Sequence, residues 1–267
     1  MAAAMDEKNP LDALDAPGSA APKKGRLKGY FQDSRNLRSS ILVVIPLFVI
    51  YQVGILATGG VRNGVDFMTD LLLHVIFRGS VLYYVIFNLA VLAGLVAAVV
   101  FLRRRRQFNP KTFLFIIIEG TVYGLLLGFV IGSLLTKTGL SHVVQAAAGA
   151  AAACPKEFGV FDNFVLSIGA GLYEELVFRL ILLGGSVLLL TRAFKVKELP
   201  AVIGAVIVTS LVFSAVHYVG GMADPFALYS FAFRFLAGIV FAVIYYGRGF
   251  AVAVYTHAIY DIIVLVF

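Results

Sequence analysis

The chain has 267 residues, of which 60% are hydrophobic and only 14% are charged, about half the charged fraction of an ordinary water-soluble domain. With a mean hydropathy of +0.93, this composition excludes a soluble globular enzyme, and the single cysteine, Cys154, excludes an intrachain disulfide and a cysteine-rich metal site. The net charge of +7 is typical of a membrane protein with basic loops, so we expect no nucleic-acid partner.

Residues 1–40 are rich in Ala, Pro, Asp and Lys and show no periodicity, which predicts a disordered cytoplasmic tail. The apolar block after it is long enough to cross a bilayer and begins too late for a secretory signal. The seven apolar blocks are 41–58, 80–102, 112–135, 161–190, 200–219, 226–246 and 250–267. They predict an all-α, polytopic transmembrane helical bundle of about seven spans, with three N-terminal helices in 41–135 and a second group in 160–267.

Two further features concern how these blocks lie in the bilayer. The block 161–190 is too long for one span, so we expect Gly184-Gly185 to break it and 186–198 to lie at the membrane surface. With the N-terminus in the cytoplasm, sixteen Lys and Arg residues fall on the inner side and four on the outer side. This bias favours an N-in, C-out topology.

Ionisable side chains inside the predicted spans are the informative ones, because each costs at least about 2.5 kcal/mol to insert at the centre of a bilayer. They are Glu119, Glu174, Glu175, Arg179, His217, Arg234, His257 and Asp261.

The segment Glu174-Glu175-Leu-Val-Phe-Arg179 carries two acids with different expected roles. On an α-helix Arg179 lies four residues after Glu175, which is a favourable spacing for an ion pair. Glu174 points about 140° away from Arg179, so it is available as a general base. The alternative is that both acids belong to a buried structural ion-pair network.

Two histidines follow on later helices. His217 ends the segment Phe213-Ser-Ala-Val-His217, where it is either functional or an interfacial residue near a helix end. His257 and Asp261 are four residues apart on the last helix, so the carboxylate can bind one ring nitrogen and orient the other. The alternative is a polar pair that joins two helices.

Glu174, His217, and His257 with Asp261 stand on three different helices and together provide what a glutamate-activated water needs. The same Glu174, His217 and His257 could also hold a divalent metal such as zinc. The His-Glu-x-x-His zinc motif is absent, so the sequence leaves metal dependence open.

Glu-Glu-x-x-x-Arg at 174–179, Phe-x-x-x-His at 213–217 and His-x-x-x-Asp at 257–261 resemble the CPBP family. These are the CAAX-type prenyl endopeptidases and bacteriocin-processing proteins, also called the Abi family. The resemblance covers roughly 160–265, which it implies is a catalytic helical core, and Phe235-x-x-Gly238 with Arg234 is similar to a weaker family motif. It implies a multi-pass protein of the bacterial cytoplasmic (inner) membrane.

The resemblance also implies residue roles. Glu174 would be the base that activates water, His217 would position that water, and Glu175 with Arg179 would hold the helix. His257 and Asp261 would polarise the scissile carbonyl and bind its oxyanion. Eukaryotic-type members have asparagine where this chain has Asp261. An ionised Asp261 cannot donate to an oxyanion, so it would have to be protonated, orient His257 or bind a metal.

We therefore expect an intramembrane endopeptidase whose partners are the lipid bilayer and a peptide or membrane-anchored protein substrate, with a sorting-type (myxosortase-like) member as one subtype. The alternatives are a non-catalytic scaffold or immunity protein of the same fold and a proton-coupled transporter. Counted along straight helices from their inner ends, Glu174 lies about 15 Å deep if its helix ends at Gly184, His217 about 25 Å and His257 about 13 Å. Upright helices with these boundaries would therefore not bring the three side chains together.

Overall fold

Nine helices make up the part of the chain that the structure describes. The computed structural model describes residues 26–61, 66, 69, 71–104, 110–137, 158–219 and 223–267. The helices are α1 (Arg26–Arg35), α2 (Leu37–Ala57), α3 (Leu71–Ile76, a π-helix), α4 (Val81–Arg104), α5 (Pro110–Lys137), α6 (160–192), α7 (Glu198–Val216), α8 (Leu228–Arg248) and α9 (Phe250–Val266). Long apolar helices of this kind satisfy every backbone hydrogen bond internally, as a lipid environment requires.

The predicted membrane bundle is confirmed. Helices α2, α4, α5, α7 and α8 are long and apolar enough to cross a bilayer, and α9 is a shorter apolar helix. Large apolar side chains cover the outside of the bundle; Phe129 is 73% exposed and Leu82 is 66% exposed. Such a surface suits lipid and would aggregate in water. The chain is an integral, multi-pass membrane protein.

The N-terminal boundary differs from the prediction. Residues 26–40, predicted to belong to a disordered tail, are helical in α1 and the start of α2, whereas residues 1–25 lie outside the described part. Helix α1 is held by contacts with distant residues: the Tyr30 hydroxyl donates to Glu119, and the Arg248 guanidinium lies 4.0 Å from the centre of the Phe31 ring. Burial and the Glu119 carboxylate raise the pKa of Tyr30, so it remains a donor. Composition alone could not reveal these contacts.

Helix α6 continues past the predicted break. It comprises Val160–Gly169, two π-helical stretches (Ala170–Glu174 and Leu176–Leu183) and Gly184–Arg192. Gly184 has ordinary helical angles, with φ −60° and ψ −45°, so the prediction that Gly184-Gly185 ends the helix was wrong. Glycine is common in membrane helices because water does not compete there for the backbone hydrogen bonds.

The turn between α8 and α9 lies well inside one end of the bundle. Gly249 makes this turn with φ +101°, a value that favours glycine. Arg248, beside it, forms a bidentate ion pair with Glu119, which also accepts a hydrogen bond from Tyr123. Glu119 lies nine residues into α5, so the turn is roughly 13 Å beyond the start of α5. Glu119 is therefore an intramembrane acid with a structural partner.

Helix α9 is the centre of the fold. All nine residues from Phe250 to Ala258 are buried, and α9 packs against α2, α5, α6 and α8. A Cβ at Gly120 would lie 2.8 Å from the Tyr255 Cβ, and a Cβ at Gly124 would lie 3.1 Å from the Thr256 carbonyl oxygen. These two α5 glycines permit the close approach of α5 and α9.

Candidate active site

The two adjacent glutamates lie where α6 is π-helical. Glu174 ends the first π-helical stretch and Glu175 immediately precedes the second. Such wide turns inside α-helices occur often at functional sites. Both side chains are buried, Glu174 at 4% and Glu175 at 0% relative exposure. Buried carboxylates need compensating partners, and these partners come from α6, from the C-terminal end of α7 and from α9.

Glu175 and Arg179 form the ion pair that their spacing predicted. The Glu175 Oε2 atom lies 3.2 Å from the Arg179 Nε atom, and both side chains are buried. The Arg179 guanidinium also donates to the Gly238 carbonyl oxygen at 3.4 Å and lies 4.4 Å from the centre of the Phe213 ring. Arg179 thus joins α6 to α7 and α8 behind the two acids.

Glu174 faces two histidines. Its Oε2 atom lies 3.8 Å from the His217 Nε2 atom and 3.9 Å from the His257 Nε2 atom. These three side chains come from α6, from the residue that follows α7 and from α9. Both distances exceed a direct hydrogen bond, so a water molecule beside the three atoms can bond to the carboxylate and to a histidine.

His257 is oriented by a different residue from the one predicted. Its Nδ1 atom lies 2.8 Å from Glu175 Oε1, and its ring stacks on Phe241 with centres 4.4 Å apart. Asp261 Oδ2 lies 3.6 Å from His257 Nε2, which is too long for a hydrogen bond. Glu175 therefore fixes the His257 ring, and Asp261 is a neighbouring charge on the same side as Glu174.

His217 is held by its own helix. Its Nδ1 atom lies 2.8 Å from the Phe213 carbonyl oxygen. A carbonyl can only accept, so Nδ1 carries the proton, and a neutral His217 has its lone pair on Nε2, which faces Glu174. The Phe213 ring meets the His217 ring edge to face at 5.2 Å. The His217 side chain is 23% exposed, so this edge of the cluster is reachable from outside the fold.

Arg234 and Asp224 hold the segment that follows His217. The two form an ion pair, and Arg234 also donates to the Tyr218 hydroxyl at 3.2 Å. The Asp224 amide donates to the His217 carbonyl oxygen at 2.9 Å. Arg234 therefore supports the backbone around His217 and makes no ion pair with Glu174 or Glu175 among the described contacts.

The structure also explains the different depths expected from the sequence. Glu174 lies eighteen residues before Arg192, the end of α6, and His217 lies nineteen residues after Glu198, the start of α7. Both are therefore roughly 27 Å from the same end of the bundle. His257 is eight residues beyond Gly249, the turn already inside the bundle, so it reaches roughly 25 Å. The continuous α6 and the recessed turn bring the three side chains to one level.

The residues predicted as possible metal ligands do not form a metal site. Among the described residues, no group of three or more His, Cys, Asp and Glu side chains is arranged to hold a metal ion. The 3.8 and 3.9 Å separations of Glu174 from the two histidines are also wider than the roughly 3.3 Å between neighbouring tetrahedral ligands of zinc at 2.0–2.1 Å.

Phe241 and Asp224 are site residues that the sequence did not reveal. Phe241 is 1% exposed and lies among apolar residues of α8, where nothing in the pattern distinguishes it. Asp224 stands in a loop, where a lone acid is unremarkable. Only their contacts with His257 and Arg234 identify them.

Gly171 permits the closest approach of α6 to α9 beside the site. A Cβ at this position would lie 2.6 Å from the Ala258 backbone nitrogen and 2.8 Å from its Cα atom. Because backbone atoms cannot turn aside, Gly171→Ala is expected to push α9 away and to destabilise the protein by about 1–3 kcal/mol. The displacement would also separate His257 from Glu174.

The measurement for Gly171→Ala is thermal unfolding in detergent together with hydrolysis of a peptide substrate. Gly185→Ala is the matched control, because Gly185 lies on the same helix and a Cβ added there would have no atom within 4 Å. It should keep or slightly raise stability, since alanine favours a helix more than glycine does. Equal stability and activity of the two variants would contradict the close approach.

Comparison with known proteins gives one match. Residues 156–263 match the family model described as type II CAAX prenyl endopeptidase Rce1-like. This segment is less than half of the chain, but it contains α6, α7, α8, most of α9 and every residue of the cluster described above. The search of curated proteins and the search of solved structures give no match. The resemblance predicted from three short motifs is confirmed: the segment 156–263 is similar to the type II CAAX prenyl endopeptidases of the Rce1-like family model.

Proposed function

We propose that the protein is an intramembrane endopeptidase in which Glu174 activates a water molecule for attack on a peptide bond. The observation that carries this proposal is the position of Glu174 Oε2, 3.8 and 3.9 Å from the Nε2 atoms of His217 and His257. One water between these atoms can bond to the carboxylate and to one histidine while a lone pair faces a substrate. The family match over 156–263 supports peptidase chemistry.

The first half of the reaction follows from the hydrogen-bond partners of each group. His217 holds its proton on Nδ1 through the Phe213 carbonyl, so its Nε2 atom accepts one hydrogen of the water. The other hydrogen points to Glu174. As Glu174 takes this proton, the water oxygen forms a bond to the scissile carbonyl carbon and the carbonyl oxygen gains the negative charge.

The second half uses His257. Because Nδ1 of this ring donates to Glu175 at 2.8 Å, a protonated His257 presents an Nε2–H donor toward the developing oxyanion. Three carboxyl groups lie around the ring, those of Glu174, Glu175 and Asp261, and a buried charge requires neighbours of opposite charge of this kind. The C–N bond then breaks, and Glu174 returns its proton to the leaving amine. The products are an acid and an amine, and Glu174 is regenerated.

Asp261 has a secondary role in this scheme. Its Oδ2 atom is 3.6 Å from His257 Nε2, so it contributes charge next to the imidazole. In this scheme His257 donates to the oxyanion, so Asp261 need not do so. An aspartate is therefore compatible with the position where eukaryotic-type members have asparagine. Arg179, through Glu175, is a positioning residue.

The test of the proposal compares membrane proteins from cells that express the wild type and His217→Ala. We expect uncleaved, membrane-anchored proteins to accumulate in the variant, measured by quantitative mass spectrometry. His74→Ala is the matched control, because His74 is exposed in α3 and outside the cluster. If folded His217→Ala leaves the same cleaved fragments as the wild type, the chain is a scaffold or a transporter and the peptidase proposal is wrong.

A further inference from the structure

The cluster around Glu174 opens toward one end of the bundle. At that end His217, Arg234 and Asp224 have side chains that are 23%, 25% and 51% exposed. The Asn163 side chain donates to the Leu265 carbonyl oxygen there, so the start of α6 and the end of α9 lie together at this end. We call it the open end.

The opposite end is closed among the described residues. Between His257 and the turn at Gly249, the residues 251–254 are all 0% exposed. Helix α1 covers the turn itself: a Cβ at Gly249 would lie 2.3 Å from the Ser34 carbonyl oxygen, and Arg35 donates to the Tyr246 carbonyl. A substrate segment cannot reach Glu174 from this side without unfolding the centre of the protein. We call it the closed end.

The charges identify which end faces the cytoplasm. The closed end is where α4, α6 and α8 end and where α5, α7 and α9 begin. In the sequence, the sixteen inner Lys and Arg residues fall before or within α1, at the start of α2, around the α4–α5 and α6–α7 connections and at the end of α8. The four others, Arg62, Arg78, Lys137 and Lys156, fall in the sequence between α2 and α4 or at and after the end of α5, and these are the connections that the chain makes at the open end. Basic residues are retained on the cytoplasmic side of membrane proteins.

We infer that the active site opens to the side of the membrane away from the cytoplasm. This inference deepens the proposed function, because it names the substrate class: membrane-anchored proteins whose cleaved bond lies in the extracytoplasmic flank of the anchor. An extended segment at that flank can enter beside His217 and reach Glu174. A segment on the cytoplasmic side meets α1 and the buried residues 251–254.

Cysteine labelling of the full-length protein in intact cells tests the orientation without any substrate. In a Cys154→Ser background, Val219→Cys places a thiol at the open end, where Val219 is 76% exposed. Ala193→Cys places one at the closed end, where Ala193 is also exposed. A membrane-impermeant maleimide should label Val219→Cys in intact cells and Ala193→Cys only after permeabilisation. The reverse pattern, or equal labelling of both in intact cells, overturns the inference.

The substrate side is tested by locating Glu174-dependent cleavage. Fragments present with the wild type and absent with Glu174→Gln should end at the extracytoplasmic flank of their anchors, as read by terminal-peptide mass spectrometry. Cleavage at the cytoplasmic flank would overturn the inferred substrate class and leave the peptidase intact. If no fragment depends on Glu174, the proposed function fails and the substrate class fails with it, while the labelling still decides the orientation.

Discussion

Glu174→Gln is expected to lower kcat/KM for peptide hydrolysis by about 10³-fold, because a positioned general base contributes about 10²–10⁴-fold. Glutamine has the shape of glutamate but cannot take a proton from water. Its amide can still bond to a water between His217 and His257, so the fold and the binding of substrate should change little. The loss should therefore appear in kcat, with KM within a few-fold of the wild-type value.

The measurement uses the purified full-length protein in detergent or in liposomes with a peptide substrate. Glu198→Gln is the control, because Glu198 is an exposed acid at the far end of α7. It should hydrolyse the substrate at the wild-type rate. A Glu174→Gln variant with wild-type kcat and an unchanged melting temperature would show that another group activates the water.

Glu175→Gln is expected to destabilise the protein by about 3–5 kcal/mol, the typical cost of removing one partner of a buried ion pair. The change leaves the Arg179 guanidinium, which is 2% exposed, without its ion-pair partner at 3.2 Å. The amide oxygen of glutamine can still accept from His257 Nδ1. The main effect should therefore be on the free energy of unfolding, with activity reduced through a less firmly held His257.

A double-mutant cycle separates the ion pair from the packing of its members. Glu175→Gln/Arg179→Gln removes both charges together, so neither charge is left buried without its partner. The double variant should therefore recover most of the stability that the single variant loses, as measured by denaturant unfolding in mixed micelles. If the two single losses simply add, the pair contributes no coupling and Arg179 is stabilised by its aromatic neighbours instead.

Local features of this protein could be predicted because they depend on residues close together in the chain. The apolar blocks predicted seven helices, and the limits of all but one agree with the observed ones within a few positions; the exception is the helix expected to end at Gly184. The pair of Glu175 and Arg179 spans a single turn, so its four-residue spacing was enough to predict it. The limits of the predicted tail and the break at Gly184-Gly185 failed because composition does not report the contacts that hold α1 or the continuity of α6.

The three polar motifs could likewise be recognised in the sequence, whereas the site that they form together could not. By itself, the sequence determined the membrane class, the order of the helices, the identity of the ionisable side chains inside the bundle and the family that the C-terminal segment resembles. The tertiary structure decided which residue orients His257, since Glu175 and His257 are 82 positions apart. It also decided that Glu174, His217 and His257 share one level, because the contact of Arg248 with Glu119, 129 positions away, sets the depth of the turn before α9. Offsets between helices arise from packing between distant residues, and no spacing along the chain encodes them.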